Sequence, residues 1–126
     1  MMRLLLIGLI SLLVLGCTSK TEQNPSFIVT TKVNQASRLE NNLAIDVRSV
    51  NDSRCPQGCE CIWAGEVRVY LNLSDNGNSM DTCLVLPSHP TIQFLNYSVE
   101  LKDVAPYPIC DNQSTPDYIF TFQVSY

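Results

Sequence analysis

Residues 66–73 read EVRVYLNL, and this stretch decides the fold class that we expect. Its valines and leucines occupy every second position, with polar or amphipathic residues between them. Such strict alternation is typical of an antiparallel strand with one buried face. The following residues, 75–78, read DNGN. Asn-Gly supplies the two positive φ angles of a type I′ turn, so the sequence predicts a hairpin whose second strand covers residues 80–86.

Shorter strand patterns surround this hairpin. Their residues are β-branched, aromatic or alternating, and they cover residues 27–33, 43–48, 91–95, 97–104 and 118–126. The polar segment 34–42 is predicted to turn. About seven short strands in roughly a hundred residues are typical of an immunoglobulin-like antiparallel β-sandwich, which we expect over residues 26–126. A small β-barrel is the alternative, since it would produce a similar pattern.

The first residues predict export from the cytoplasm. A positive start ends at Arg3, and residues 4–15 form an apolar run that is too short for a comfortable membrane span of about 20 residues. Residues 13–17 read LVLGC and resemble the lipobox of bacterial lipoproteins. The resemblance implies a signal peptide over residues 1–16, cleavage before Cys17, and acylation of that residue. An ordinary signal peptide that ends near a cysteine is the alternative.

The segment that follows is interpreted as a lipid-linked tether. Residues 17–25 have little to bury, and two or more acyl chains anchor a protein stably where one does not. Thr18 stands where an aspartate would, by the same resemblance, favour the inner membrane, so we expect the outer membrane of a bacterial envelope. Removing Arg3 leaves seven of eight basic residues against twelve acidic ones, a net charge of 7 − 12 = −5. This acidic balance without basic clusters argues against nucleic-acid binding.

Three of the six cysteines and the only tryptophan lie within residues 51–66, NDSRCPQGCECIWAGE. The motifs DSRCP at 52–56, CIWAGE at 61–66 and LKDVAPYP at 101–108 resemble those of a group of small uncharacterised bacterial lipoproteins and exported proteins. The resemblance implies no particular activity. It favours a disulfide between Cys55 and Cys61, which would close a tight loop.

The other cysteines leave the connectivity open. Disulfides are expected in an oxidising compartment, and five thiols remain once Cys17 is lipidated. We predict a second bridge between Cys83 and Cys110, with Cys59 left unpaired. The competing arrangement joins Cys59 to Cys83 or to Cys110.

The candidate binding loop contains Arg54, Pro56 and Trp63. We expect Trp63 to pack over the loop disulfide, because a small domain needs its aromatic residues inside; an exposed recognition anchor is the alternative. Arg54 is expected to bond loop carbonyls or to pair with Asp52 or Glu66, and the alternative is a basic tip that faces a protease or ligand.

The sequence lacks the short motifs of hydrolase elbows, dinucleotide or nucleotide binding, and thioredoxin-like redox sites. We therefore expect a lipid-anchored, non-enzymatic binding or scaffold module without cofactor or metal, whose partners are the membrane and another envelope protein. One alternative is a protease inhibitor that presents the loop from Arg54 to Cys61. Another is a metal or thiol site that uses Cys59, Cys61 and neighbours, with His89 as a further ligand.

Overall fold

The computed structural model describes residues 24–126, which form two stacked antiparallel sheets of four strands each. The strands are β1 (Ser26–Thr31), β2 (Ala36–Arg38), β3 (Ala44–Asp52), β4 (Val67–Asp75), β5 (Asn78–Leu86), β6 (Thr91–Phe94), β7 (Tyr97–Ala105) and β8 (Ile119–Ser125). The predicted β-sandwich is confirmed, and its sheets stay open rather than closing into a barrel. The predicted signal peptide, Cys17 and most of the tether lie outside the described residues.

Each sheet is built mainly from consecutive strands. One sheet has the order β2-β3-β4-β5, and the other has the order β1-β8-β7-β6, because β1 pairs with β8 rather than with β2. The chain changes sheet between β1 and β2 and again between β5 and β6. This order differs from the ABED and CFG sheets of an immunoglobulin constant domain. Within residues 24–126, no helix is long and apolar enough to cross a membrane.

The hairpin predicted at residues 75–78 is confirmed. Asp75 of β4 faces Asn78 of β5 in the ladder, so the loop contains only Asn76 and Gly77. Their φ angles are 45° and 85°, both positive as a type I′ turn requires.

The core lies between the two sheets and takes its side chains from alternate positions. The alternating valines and leucines of β4 are all buried, and they face the aromatic face of β8, where Phe120 and Phe122 are also buried. Val99, Leu101 and Val104 of β7 complete this layer. Burial of one face per strand is the main source of stability in such a small domain, so the alternation seen in the sequence accounts for the fold.

Two features of the sheets were not predicted. The short strand β2 lies in a segment that we expected only to turn. It pairs with β3 alone, at the edge of the sheet. Because it has only three residues, its sequence shows no alternation of apolar and polar positions. The registers also shift between Val47 and Ser49 in β3 and between Leu101 and Asp103 in β7. Each shift marks a β-bulge, in which an extra residue changes the face of the residues after it. The imperfect alternation of residues 43–45 lies before the bulge in β3.

The sandwich has two ends, which we call the tether pole and the loop pole. At the tether pole β1 begins, with Ser26 opposite Ser125, and the β4–β5 hairpin turns. At the loop pole β3 and β7 end and β4 and β8 begin. Nine-residue strands such as β4 separate the poles by roughly 30 Å at about 3.3 Å per residue. The chain therefore enters the domain at the end opposite the cysteine loop.

Candidate functional site

The loop pole joins two loops, residues 53–66 between β3 and β4 and residues 106–118 between β7 and β8. At the base of the first loop, the amide of Ser53 donates to the Glu66 carbonyl and the amide of Cys55 to the Ala64 carbonyl, both at 2.8 Å. These bonds continue the β3–β4 ladder into the loop.

Backbone bonds also hold the two loops against each other. The amide of Gln57 donates to the Pro108 carbonyl, and the amide of Cys110 donates to the Gln57 carbonyl, both at 2.9 Å. Gln57 and Ile109 thus form a parallel bridge between the loops. The pairing places Cys59 beside Cys110.

Two disulfides brace this arrangement. The predicted Cys55–Cys61 bridge is confirmed, with its Cα atoms 5.9 Å apart. The predicted Cys83–Cys110 bridge is wrong, because Cys110 pairs with Cys59 across a Cα distance of 5.3 Å. Cys83 lies in β5 opposite Tyr70 of β4, away from the paired loops, and among the described residues it has no disulfide partner.

Arg54 connects the two sheets at the loop pole. Its Nε and Nη2 atoms donate to the Oδ1 and Oδ2 atoms of Asp52 at 2.8 and 2.6 Å. Its Nη1 atom donates to the Val104 carbonyl at 2.9 Å, and Nη2 also donates to the Pro106 carbonyl at 3.3 Å. Asp52 ends β3 in one sheet and Val104 lies in β7 of the other. We call this set of contacts the arginine clamp.

Two tyrosines complete the arginine clamp. The Tyr118 hydroxyl donates to Oδ2 of Asp52 at 3.0 Å, and the guanidinium carbon of Arg54 lies 4.6 Å from the ring centroid of Tyr107. Only 11% of the Arg54 side chain and 5% of the Asp52 side chain are exposed. A bidentate pair that is shielded from water is stronger than a surface ion pair, and the extra hydrogen bonds satisfy the remaining polar atoms.

The ionisation of the clamp follows from these contacts. Burial by itself raises the pKa of Asp52, but the hydrogen bonds and charge of Arg54 and the Tyr118 hydroxyl outweigh burial, so the net pKa is lower than usual. The bond to Asp52 raises the pKa of Arg54 despite burial, and burial together with Asp52 raises the pKa of Tyr118. The pair is therefore ionised, and the tyrosine is neutral, at neutral pH.

The contacts of the arginine clamp show that Arg54 has a structural role. The predicted pairing with Asp52 and with carbonyl groups is confirmed, although the carbonyls belong to β7 and the segment after it. All three guanidinium nitrogens donate to groups of the protein itself, so Arg54 does not form a basic tip for a protease or ligand. Pro56 is half-buried beside it.

Gly65 allows the cysteine loop to rejoin β4. Its φ angle is +73°, and a Cβ atom at this position would overlap the backbone carbonyl of Ser53 and lie 2.9 Å from the Arg54 Cα. Only glycine, which lacks a Cβ atom, can occupy this position without displacing the backbone of Ser53.

We expect Gly65→Ala to lower the free energy of unfolding by about 3 kcal/mol or more, because strain at positive φ adds to a backbone overlap. Gly77→Ala is the matched control: its φ is +85°, but no atom lies within 4 Å of the added Cβ, so about 1 kcal/mol is expected. Urea unfolding of both variants measures the difference. Equal losses would show that the overlap with Ser53 is relieved without cost.

The predicted packing of Trp63 over the loop disulfide is wrong. Trp63 is 80% exposed and Ile62 is 92% exposed. Both residues lie beyond the last backbone bond at the base of the loop, and the core is already filled by side chains of the strands. On the adjoining loop Ile109 is 57% and Tyr107 44% exposed. We call these four residues, Ile62, Trp63, Tyr107 and Ile109, the tip cluster.

The cysteines of the loop are not available as thiolate ligands, because Cys59 and Cys61 are both in disulfides. Within residues 24–126, no group of three or more histidine, cysteine or acidic side chains is placed to hold a metal ion. His89 lies in the turn between β5 and β6, where its backbone bonds to Val85. The exposed residues of the loop pole are the apolar tip cluster and polar residues such as Gln57 and Glu60.

Sequence reasoning did not identify Tyr107, Tyr118, Ile62 or Ile109 as parts of this site. Tyr107 was visible only as part of the motif at residues 101–108. Its position over Arg54 depends on a contact between segments some fifty residues apart, as the separation of 50 between Arg54 and Val104 shows. No local pattern reports such a contact.

Comparisons with protein-family models, curated proteins and solved structures find no match for this chain. The resemblance to small exported lipoproteins therefore stays a prediction. The structure does bring its motifs together, because Arg54 of DSRCP contacts Val104, Pro106 and Tyr107 of LKDVAPYP.

Proposed function

We propose that this protein is a lipid-anchored, non-enzymatic binding module of the bacterial envelope, and that the tip cluster at the loop pole is its binding surface. Exposure of Ile62 and Trp63 is the observation that carries this proposal. A small domain gains stability by burying large apolar side chains, so the exposure of its only tryptophan calls for another explanation. Tryptophan is also the residue type most enriched at binding hot spots.

The support beneath the tip cluster favours binding over a loose loop. Two disulfides, the Gln57–Ile109 bridge and the arginine clamp hold both loops in one arrangement. A surface ordered before binding loses less entropy when its partner arrives. The rigid loop and its exposed apolar residues are thus complementary features of one recognition surface.

The position of the surface agrees with an anchor at Cys17. The described chain enters at the tether pole, and the tip cluster lies at the opposite end of the sandwich. An anchored domain would then project its tip cluster away from the bilayer that holds it. The outer membrane remains our preferred site of anchoring, on the basis of Thr18.

The test is photo-cross-linking in cells of the source bacterium. We expect p-benzoylphenylalanine at position 63, in place of Trp63, to form a discrete adduct, because that side chain would lie in the interface. The same group in place of Tyr70, on the outer face of β4, is the matched control and should form no such adduct. A Cys17→Ala variant shows whether the adduct depends on anchoring. The proposal would be contradicted if neither position formed an adduct and only the uncross-linked protein were recovered.

A further inference from the structure

We propose that the loop pole recognises a protein whose apolar surface is bordered by lysine or arginine side chains. This inference rests on the proposed binding function and adds the chemistry of the partner. It depends on the charges that surround the tip cluster, in addition to the apolar residues themselves.

The apolar part of the surface comes from two loops that cannot separate. Ile62 and Trp63 belong to the cysteine loop, and Ile109 and Tyr107 to the β7–β8 loop. The Cys59–Cys110 disulfide and the Gln57–Ile109 bridge join these loops directly. A partner at this pole can therefore meet exposed apolar side chains from both loops.

The charged part of the surface is acidic. Glu60 follows Cys59 and Asp111 follows Cys110, so the disulfide brings these two exposed carboxylates to the same part of the loop pole. Neither forms an ion pair with another described residue, since the acidic members of the ion pairs are at other positions. Arg54 does not compensate them because Asp52 already neutralises it.

Lysine and arginine are otherwise absent from the two loops. Residues 53–66 and 106–118 contain only Arg54 as a basic residue. Of the other acidic groups in the loops, Glu66 pairs with Arg68 of β4 and Asp117 pairs with Lys32, which follows β1. The loop pole thus presents exposed apolar side chains beside two carboxylates that form no ion pair within residues 24–126.

This combination favours a protein over a bilayer or a second copy of the chain. Segments that insert into membrane surfaces combine apolar residues with lysine and arginine, which are attracted to anionic lipids, whereas Glu60 and Asp111 would be repelled. A symmetric contact of two loop poles would place like charges near each other. A basic rim on a protein partner instead supplies complementary charge, which increases both specificity and the rate of association.

The single tryptophan provides the measurement. The mature lipidated chain in phosphatidylcholine nanodiscs is titrated with three peptides of equal length: two amphipathic ones, made of leucine and lysine or of leucine and glutamate, and a fully polar one made of serine and lysine. We expect the leucine–lysine peptide to shift Trp63 emission to the blue and to bind about tenfold more tightly than the leucine–glutamate peptide. This difference in affinity should decrease at high salt. The serine–lysine peptide should cause no shift.

Charge variants separate a local effect from net charge. Glu60→Gln with Asp111→Asn should remove the tenfold preference, whereas Glu40→Gln with Asp81→Asn, which changes net charge equally at sites away from the loop pole, should retain it. Vesicles of phosphatidylcholine alone or with phosphatidylglycerol should leave the emission unchanged. The inference would be overturned if Trp63 emission responded equally to the two leucine peptides or to none of the peptides. Loss of the preference in both double variants, or an emission shift with vesicles, would also overturn it. The cross-linking at position 63 would remain an independent test of the binding function.

Discussion

Asp52→Ala is expected to lower the free energy of unfolding by about 3–5 kcal/mol, the cost of leaving one partner of a shielded ion pair uncompensated. The variant removes both acceptors of the Arg54 fork and the acceptor of the Tyr118 hydroxyl. Arg54 would retain the carbonyl partners from β7 and the segment after it, and its contact with the Tyr107 ring. The loss should be visible in urea unfolding as a lower midpoint with an unchanged slope.

The matched control is Asp46→Ala in the same strand. Asp46 pairs with Arg48 at 3.0 Å, but 60% of the Arg48 side chain is exposed, so a loss of about 0–1 kcal/mol is expected. Replacing both clamp partners, Asp52→Val with Arg54→Met, should recover part of the loss because no buried charge remains. Similar effects of Asp52→Ala and Asp46→Ala would mean that water solvates the clamp.

The same ion pair sets the acid sensitivity of the fold. Because the folded-state pKa of Asp52 lies below its usual value, its contribution is fully present above the unfolded pKa of about 3.9. It is lost as the pH falls through the lower folded pKa. Stability of the wild type should therefore decrease more steeply below about pH 4 than stability of Asp52→Asn, and parallel pH profiles would contradict the clamp.

The second large effect concerns the Cys59–Cys110 disulfide. Replacing both cysteines by serine should cost about 4 kcal/mol, whereas removing Cys55 and Cys61 together should cost about 2 kcal/mol. The reason is the length of chain that each bridge closes, with sequence separations of 51 and 6. In the entropic account, the longer loop restricts the unfolded chain more.

Each cysteine pair should be removed separately in a Cys83→Ser background, which prevents disulfide exchange with the Cys83 thiol. The Cys83→Ser change itself is expected to alter the free energy of unfolding by less than about 0.5 kcal/mol. Urea unfolding again gives the comparison. A disulfide map should show a peptide that links Cys59 to Cys110 in every preparation. If Cys110 were found joined to Cys83, or if removal of the short bridge had the greater cost, the assigned connectivity would be wrong.

Much of the fold was determined by the sequence alone. The alternation in residues 66–73, the Asn-Gly turn and the aromatic face of the last strand each depend on neighbours along the chain. Periods of two residues and preferences for positive φ are local properties, so they predicted a β-sandwich and its hairpin correctly. They missed β2 because a three-residue polar edge strand has no period to detect.

Only the tertiary structure decided what the cysteine loop does. The partner of Cys110, the burial of Arg54 and the exposure of Trp63 all depend on residues 53–66 meeting residues 104–118 across the loop pole. Such contacts are governed by the packing of the two sheets, and the intervening strands set the distance between the segments. A local sequence pattern therefore identifies the loop, but the surface that it presents to a partner is a property of the folded sandwich.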